Sequence, residues 1–89
     1  MMTQASMTAD SIVCVDVVRL KLDQLFEKKL SALVGEEAQL FIEAQLKWRD
    51  YVEVELRIID LKFEGGTARV CARNMTEELL ICDRIYRLC

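Results

Sequence analysis

The chain has 89 residues, of which 53% are hydrophobic and 30% charged, and it contains no proline. This composition excludes intrinsic disorder, and the length supports one domain with a modest core, which we predict to span residues 1–89. The 12 basic and 15 acidic residues are interleaved and give a net charge of -3, so nucleic acid is not an expected partner.

The N-terminal residues 1–9 precede the first periodic segment and are predicted to be flexible. They lack the basic start and the apolar stretch of a secretory signal. The protein is therefore expected to be cytoplasmic, or else periplasmic or secreted after removal of a leader. No apolar run of the chain approaches the ~20 residues of a membrane span, so we expect a soluble domain with no such span.

The first helix is predicted over residues 10–34, where apolar residues recur with a helical period. Gly35 follows this segment, as a helix C-cap glycine does, and the acidic Glu36 and Glu37 suit the first turn of a following helix. The predicted buried face of the first helix holds Val15, Val18, Leu22, Leu25, Phe26, Leu30 and Leu33.

The second segment, residues 36–63, admits two interpretations. Apolar and charged residues alternate from Val52 to Ile58, which is typical of a strand, and Gly65-Gly66 would then be a hairpin turn. The alternation fails at Ile58-Ile59, whereas a 3.6-residue period continues through it. The helical interpretation, which we favour, places one apolar stripe on Phe41, Trp48, Val52, Leu56, Ile59 and Phe63.

The third helix is predicted over residues 67–88, with Thr67 as its N-cap and Gly65-Gly66 as the preceding turn. Its predicted buried face holds Cys71, Met75, Leu79, Cys82, Tyr86 and Cys89. The three helices and their short connections predict an all-α, up-down-up three-helix bundle with a long central helix. The alternative is a small α+β fold of hot-dog type, built on strands in residues 40–88.

The four cysteines indicate disulfides or buried thiols, because the chain has no histidine and no Cys-x-x-Cys pair for zinc. Cys71 and Cys82 would lie about 16 Å apart along one helix, and Cys82 and Cys89 about 10 Å, too far for a disulfide. In the up-down-up arrangement Cys14 lies level with Cys71, and we predict that these two are bonded. Cys82 would then be a buried thiol. Four reduced core thiols are the alternative.

Catalytic chemistry is not indicated by the sequence. A histidine base or triad is excluded, no activating base accompanies a cysteine, and Gly65-Gly66 lacks the lysine of a phosphate loop. We therefore predict a protein that is not an enzyme, with no catalytic, cofactor-binding or metal-binding residues. A small hot-dog-type enzyme is the alternative that the strand interpretation would require.

Several landmarks resemble a family of small secreted bacterial proteins that includes the LprI-type lysozyme inhibitors. They are Ala44-Gln45-x-x-Trp48-x-x-Tyr51 with Glu53, Glu64-Gly65-Gly66-Thr67, Cys71 with Thr76, and upstream Thr3-Gln4, Met7, Cys14 and Leu22-Asp23-x-x-Phe26. The sequence departs from the family at Val52, Glu53 and Leu56, where an Arg-Asp pair and a cysteine are usual.

The resemblance implies a secreted or periplasmic protein-binding domain, with lysozyme as the named partner. The mild acidity of the chain is consistent with a basic partner, and an acidic contact surface is predicted on Glu36, Glu37, Glu53, Asp60 and Glu64. The alternative is a cytosolic helical interaction or dimerisation module. It is plausible because three helices leave an apolar face incompletely covered, and it would make the protein a homodimer.

Overall fold

The computed structural model describes residues 4–89, with side chains from residue 15 onward, and consists of three helices. Helix α1 is Gln4–Ser31, α2 is Gly35–Lys62 and α3 is Gly66–Leu88. No strand occurs in residues 4–89, so the all-α prediction is confirmed and the hot-dog alternative is wrong. Helix α1 begins at Gln4, within the segment that was predicted to be flexible.

The α1–α2 connection differs from the prediction. Helix α1 ends at Ser31, whose hydroxyl donates to the carbonyl of Lys28 at 2.7 Å. The amides of Ala32 and Leu33 bond three residues back, which tightens the last turn without a left-handed glycine. Gly35, with φ of 62°, instead begins α2. The acidic first turn of α2 is confirmed.

The α2–α3 connection depends on two glycines in a row. Gly65 has φ of 91° and Gly66 has φ of 76°, values that L-residues with a Cβ rarely adopt. The predicted turn at Gly65-Gly66 is therefore confirmed. Thr67 is not the N-cap, because α3 already begins at Gly66 and Gly65 occupies the cap position without a side-chain hydrogen bond.

The core lies where the predicted apolar faces of α1 and α2 meet α3. Leu22, Ile81 and Leu88 are buried at its centre, and Val18, Leu25, Phe41, Trp48 and Ile85 pack around them. Val15, Val52 and Leu56 are also buried. The predicted faces of α1 and α2 are thus confirmed, except that Phe63 at the end of the α2 stripe is exposed.

The predicted face of α3 is wrong. Met75, Leu79 and Tyr86 are 60%, 68% and 82% exposed, and Cys82 and Cys89 are exposed as well. The buried side of α3 carries Ile81 and Leu88 instead. It also carries charged residues whose partners on α1 and α2 compensate for their partial burial. This orientation lets α3 bury one apolar stripe and leaves a second one outside.

The molecule is flat, with extents of 51 × 28 × 14 Å between its α-carbons. Helix α3 packs mainly on α1 and less on α2, whereas α1 and α2 barely touch. The radius of gyration is 15.4 Å, compared with about 12 Å expected for a compact chain of this length. The bundle is therefore open, close to a layer one helix thick. None of the described helices is apolar over a stretch long enough to cross a membrane.

Candidate functional site

An open groove lies between α1 and α2, with α3 as its floor, and has a volume of about 620 Å³. Helices α1 and α2 barely touch; the rings of Phe26 and Phe41 stack between them, with centroids 4.9 Å apart. Its apolar lining consists of Leu22, Trp48, Val52, Leu56 and Ile81. The groove is thus the open edge of the core.

Ion pairs between helices neutralise most of the charge along this groove. Arg19 of α1 donates twice to Glu77 of α3, at 2.6 and 2.7 Å, and Arg73 of α3 donates to Asp60 of α2 at 2.6 Å. Two further lining residues, Arg57 and Glu53, have no ion-pair partner among residues 15–89. Because opposite charges balance, the groove does not select for an anionic or a cationic ligand.

One polar contact crosses the core at the end of the groove. Gln45 is buried, and its Oε1 accepts a hydrogen bond of 3.0 Å from Nε of Arg84. The guanidinium of Arg84 also lies 6.0 Å from the centre of the Trp48 ring. Burial, and then the nearby charge of Arg87, lower the pKa of Arg84 below its usual value. Gln45 therefore makes a polar contact between α2 and α3.

Two outer surfaces are more unusual than the groove. Along α2, positions spaced alternately by four and three residues form a continuous exposed line on the side away from the core. We call this line the α2 outer seam; it consists of Leu40, Ala44, Lys47, Tyr51, Val54, Ile58 and Leu61. Its five large apolar members are 40–86% exposed. Lys47, paired with Glu43, is its single charged member.

A second line of the same spacing runs along α3. This α3 outer seam consists of Ala68, Ala72, Met75, Leu79, Cys82, Tyr86 and Cys89. Ala72 is half-buried and the other six residues are exposed. None of the seven is charged, although the positions beside them include Arg69, Glu78 and Asp83. A 4-3 repeat of apolar residues is the pattern that packs one helix against another.

The five acidic residues predicted as a contact surface do not come together. Glu36 and Glu37 lie in the first turn of α2, whereas Asp60 and Glu64 lie at and beyond its opposite end, about 36 Å away at about 1.5 Å per residue. Asp60 is engaged by Arg73, and Glu53 lines the groove. One partner surface that contacts all five would have to extend along the whole of α2.

The cysteines are placed on or near α3, except for Cys14. The predicted Cys14–Cys71 bond cannot be located, because the side chain of Cys14 lies outside the described residues, and it stays a prediction. Cys71 is partly buried. Cys82 is an exposed thiol, so the prediction that it is buried is wrong; Cys89 is an exposed thiol as well. Within residues 15–89 no three His, Cys, Asp or Glu side chains are grouped to hold a metal ion.

Neither outer seam was among the predicted surfaces. Each helix was assigned one apolar face, and Leu79, Cys82 and Tyr86 were predicted to lie in the core. The signal was present, since α2 and α3 each carry a second 4-3 series of apolar residues beside the buried one. Two residues that carry the resemblance described above are placed differently. Trp48 packs on the core, whereas Tyr51 is 52% exposed and belongs to the α2 outer seam.

Comparison with known proteins adds no relative. No protein-family description, no curated protein sequence and no solved structure matches this chain.

Proposed function

We propose that this chain is a non-enzymatic protein-binding domain whose contact surfaces are the α2 and α3 outer seams. One observation carries the proposal: apolar side chains form two continuous exposed lines on a domain whose own core is small. Within residues 15–89, six hydrophobic side chains are buried and fourteen large ones are exposed. Scattered exposed apolar residues are normal on a monomer, but continuous ones mark contact sites.

The shape of the molecule supports the same proposal. A layer 14 Å thick between α-carbons offers little interior, and most of the charged groups that face the groove are already paired with one another. The remaining source of binding free energy is the apolar surface, at about 25 cal/mol for each Å² removed from water. A helix with a matching apolar stripe fits either seam, because apolar residues at 4-3 spacing interlock with the same pattern on a partner.

Lysozyme is the specific partner that the family resemblance suggests. The net charge of -3 is consistent with a cationic partner of this kind. The test is a titration of lysozyme with the purified chain, followed by lysis rate and by calorimetry. An unchanged lysis rate and no heat of binding would remove lysozyme as the target.

The seam itself is tested by a charge placed in it. Val54→Glu puts a carboxylate in the middle of the α2 outer seam, at a position that is 53% exposed, so the fold should persist. Asp50→Asn is the matched control, one helical turn away and outside the seam. With tagged protein in its native cell, we expect a stoichiometric partner to copurify with wild type and D50N but not with V54E. The same partner recovered equally with V54E would overturn the proposal for this seam.

A further inference from the structure

We infer that the α3 outer seam binds a second copy of this chain, with the two α3 helices antiparallel. The inference rests on the proposed function, since it assigns an occupant to one of the two outer seams. The seam runs from Ala68 to Cys89 without a charged or strongly polar member. It therefore offers three heptads of apolar contact, enough for one helix to pack along its whole length.

The sizes of the side chains favour an antiparallel pair. The four- and three-residue steps define two alternating kinds of seam position, and in antiparallel helices each kind faces the other. When Leu79 lies opposite Met75 of the second copy, Cys82 therefore lies opposite Ala72. In that same register, Tyr86 lies opposite Ala68 of the second copy. The largest seam residue, Tyr86, thus meets a small one. A parallel pair would set Tyr86 against Tyr86, which crowds that layer.

The charges beside the seam favour the same register. Arg69 lies level with Asp83 of the second copy, and two-fold symmetry also sets Asp83 level with Arg69 of the second copy. Asp83 is 57% exposed and holds only Arg87, at 3.0 Å. In a parallel pair Asp83 would instead approach Glu78 of the second copy, and the two acids would repel each other.

One contact in the antiparallel pair is unfavourable. Glu78 lies on the flank opposite Arg69 and approaches Glu78 of the second copy near the two-fold axis. Removing that charge with Glu78→Gln is therefore expected to tighten the dimer. This variant separates self-association from non-specific apolar adhesion, which a single uncharged amide would not strengthen.

The oligomeric state is measured by sedimentation equilibrium on the full chain. We expect wild type to be dimeric at roughly 100 µM and Leu79→Glu to raise the dissociation constant at least about tenfold. Leu61→Glu, in the α2 outer seam and 86% exposed, is the matched control and should leave the constant unchanged. Leu79 is 68% exposed, so the helical circular dichroism of both variants should equal that of wild type. A monomeric wild type at this concentration would overturn the inference.

The register is tested by a disulfide across the seam. In a Cys71→Ser background, Ala72→Cys places a thiol opposite Cys82 of the second copy, and oxidised glutathione should convert the pair to a covalent dimer. Ala44→Cys in the same background is the control that should not join Cys82. Peptide mapping that finds Cys82 bonded to Cys82 would overturn the antiparallel arrangement.

The two proposals fail in different ways. If wild type is monomeric and V54E still loses the copurified partner, the α3 outer seam does not bind a second copy. The protein-binding function of the α2 outer seam is then retained. If L79E abolishes the dimer and V54E still recovers the partner equally, self-association through α3 is retained. The α2 outer seam is then not the surface that binds the partner.

Discussion

Arg84 of α3 donates a hydrogen bond to Gln45 of α2, and this bond joins an arginine to the only polar side chain that is buried in residues 15–89. The Oε1 of Gln45 would otherwise face an apolar interior without a donor from another helix. Because a buried acceptor that loses its donor costs more than the bond itself contributes, this contact helps to specify how α2 and α3 align.

Replacing Arg84 by alanine should therefore destabilise the fold by about 1–3 kcal/mol, since it leaves Gln45 unpartnered and removes the guanidinium beside Trp48. Arg87→Ala is the matched control, because Arg87 is 70% exposed and pairs only with Asp83; we expect a change within about 0.5 kcal/mol. Urea unfolding followed by circular dichroism measures both. Equal losses would show that Gln45 does not depend on Arg84.

The ion pair between Arg19 and Glu77 is expected to hold α1 on α3. Glu77→Gln should lower the free energy of unfolding by about 1 kcal/mol, because the pair is doubly hydrogen-bonded and Glu77 is only 15% exposed. Asp23→Asn removes the longer pair to Arg49, in which both side chains are about 60% exposed, and should change stability by less than about 0.5 kcal/mol.

Salt distinguishes that prediction from a packing effect. The difference between wild type and Glu77→Gln should shrink in about 1 M NaCl, where charges are screened beyond about 3 Å. A difference that is unchanged by salt would show that the carboxylate acts through shape or hydrogen bonding alone.

The stacked rings of Phe26 and Phe41 join α1 to α2. Phe41→Ala should cost about 3–5 kcal/mol, because it removes both the stacking and the packing on the core. The neighbouring Leu40→Ala is the control: Leu40 is 56% exposed and lies in the α2 outer seam, so its loss should cost under about 1 kcal/mol. Thermal unfolding of the two variants checks the contrast, and similar midpoints would contradict it.

The turn at Gly66 is testable with one added methyl group. Gly66→Ala should destabilise the domain by about 1–2 kcal/mol, since φ of 76° strains an L-residue. Apart from the adjacent backbone, no atom of the described residues lies within 4 Å of the site of the new Cβ, so a clash with another side chain would not explain the loss. A synthetic chain with D-alanine at position 66 should instead be at least as stable as wild type. Equal stability of the L and D variants would disprove the assigned conformation.

The faces of α1 and α2 were predictable from sequence because a periodic apolar stripe in each helix provides the core contacts. Helices α2 and α3 each have a second apolar stripe, and in α3 the local sequence does not decide which stripe is buried. The choice depends on partners far along the chain, such as Arg19 for Glu77 and Gln45 for Arg84. Pairings over such separations have no signature in the spacing of α3 alone.

The groove was not predictable for a related reason. It follows from the sparse contact between α1 and α2, which no single helix encodes. The outer seams, by contrast, are visible in the sequence once each helix is allowed two apolar stripes. Their exposure is then the part that only the three-dimensional arrangement supplies.

The separation of the two outer seams on different helices has a consequence for assembly. A dimer formed through α3 would carry two α2 outer seams, one on each copy, in a fixed relation to each other. A target with two matching sites would then be held at both, and the second attachment would occur at a high effective concentration. Such a bivalent clamp would release its target when the dimer is diluted, so the abundance of this chain would itself regulate binding.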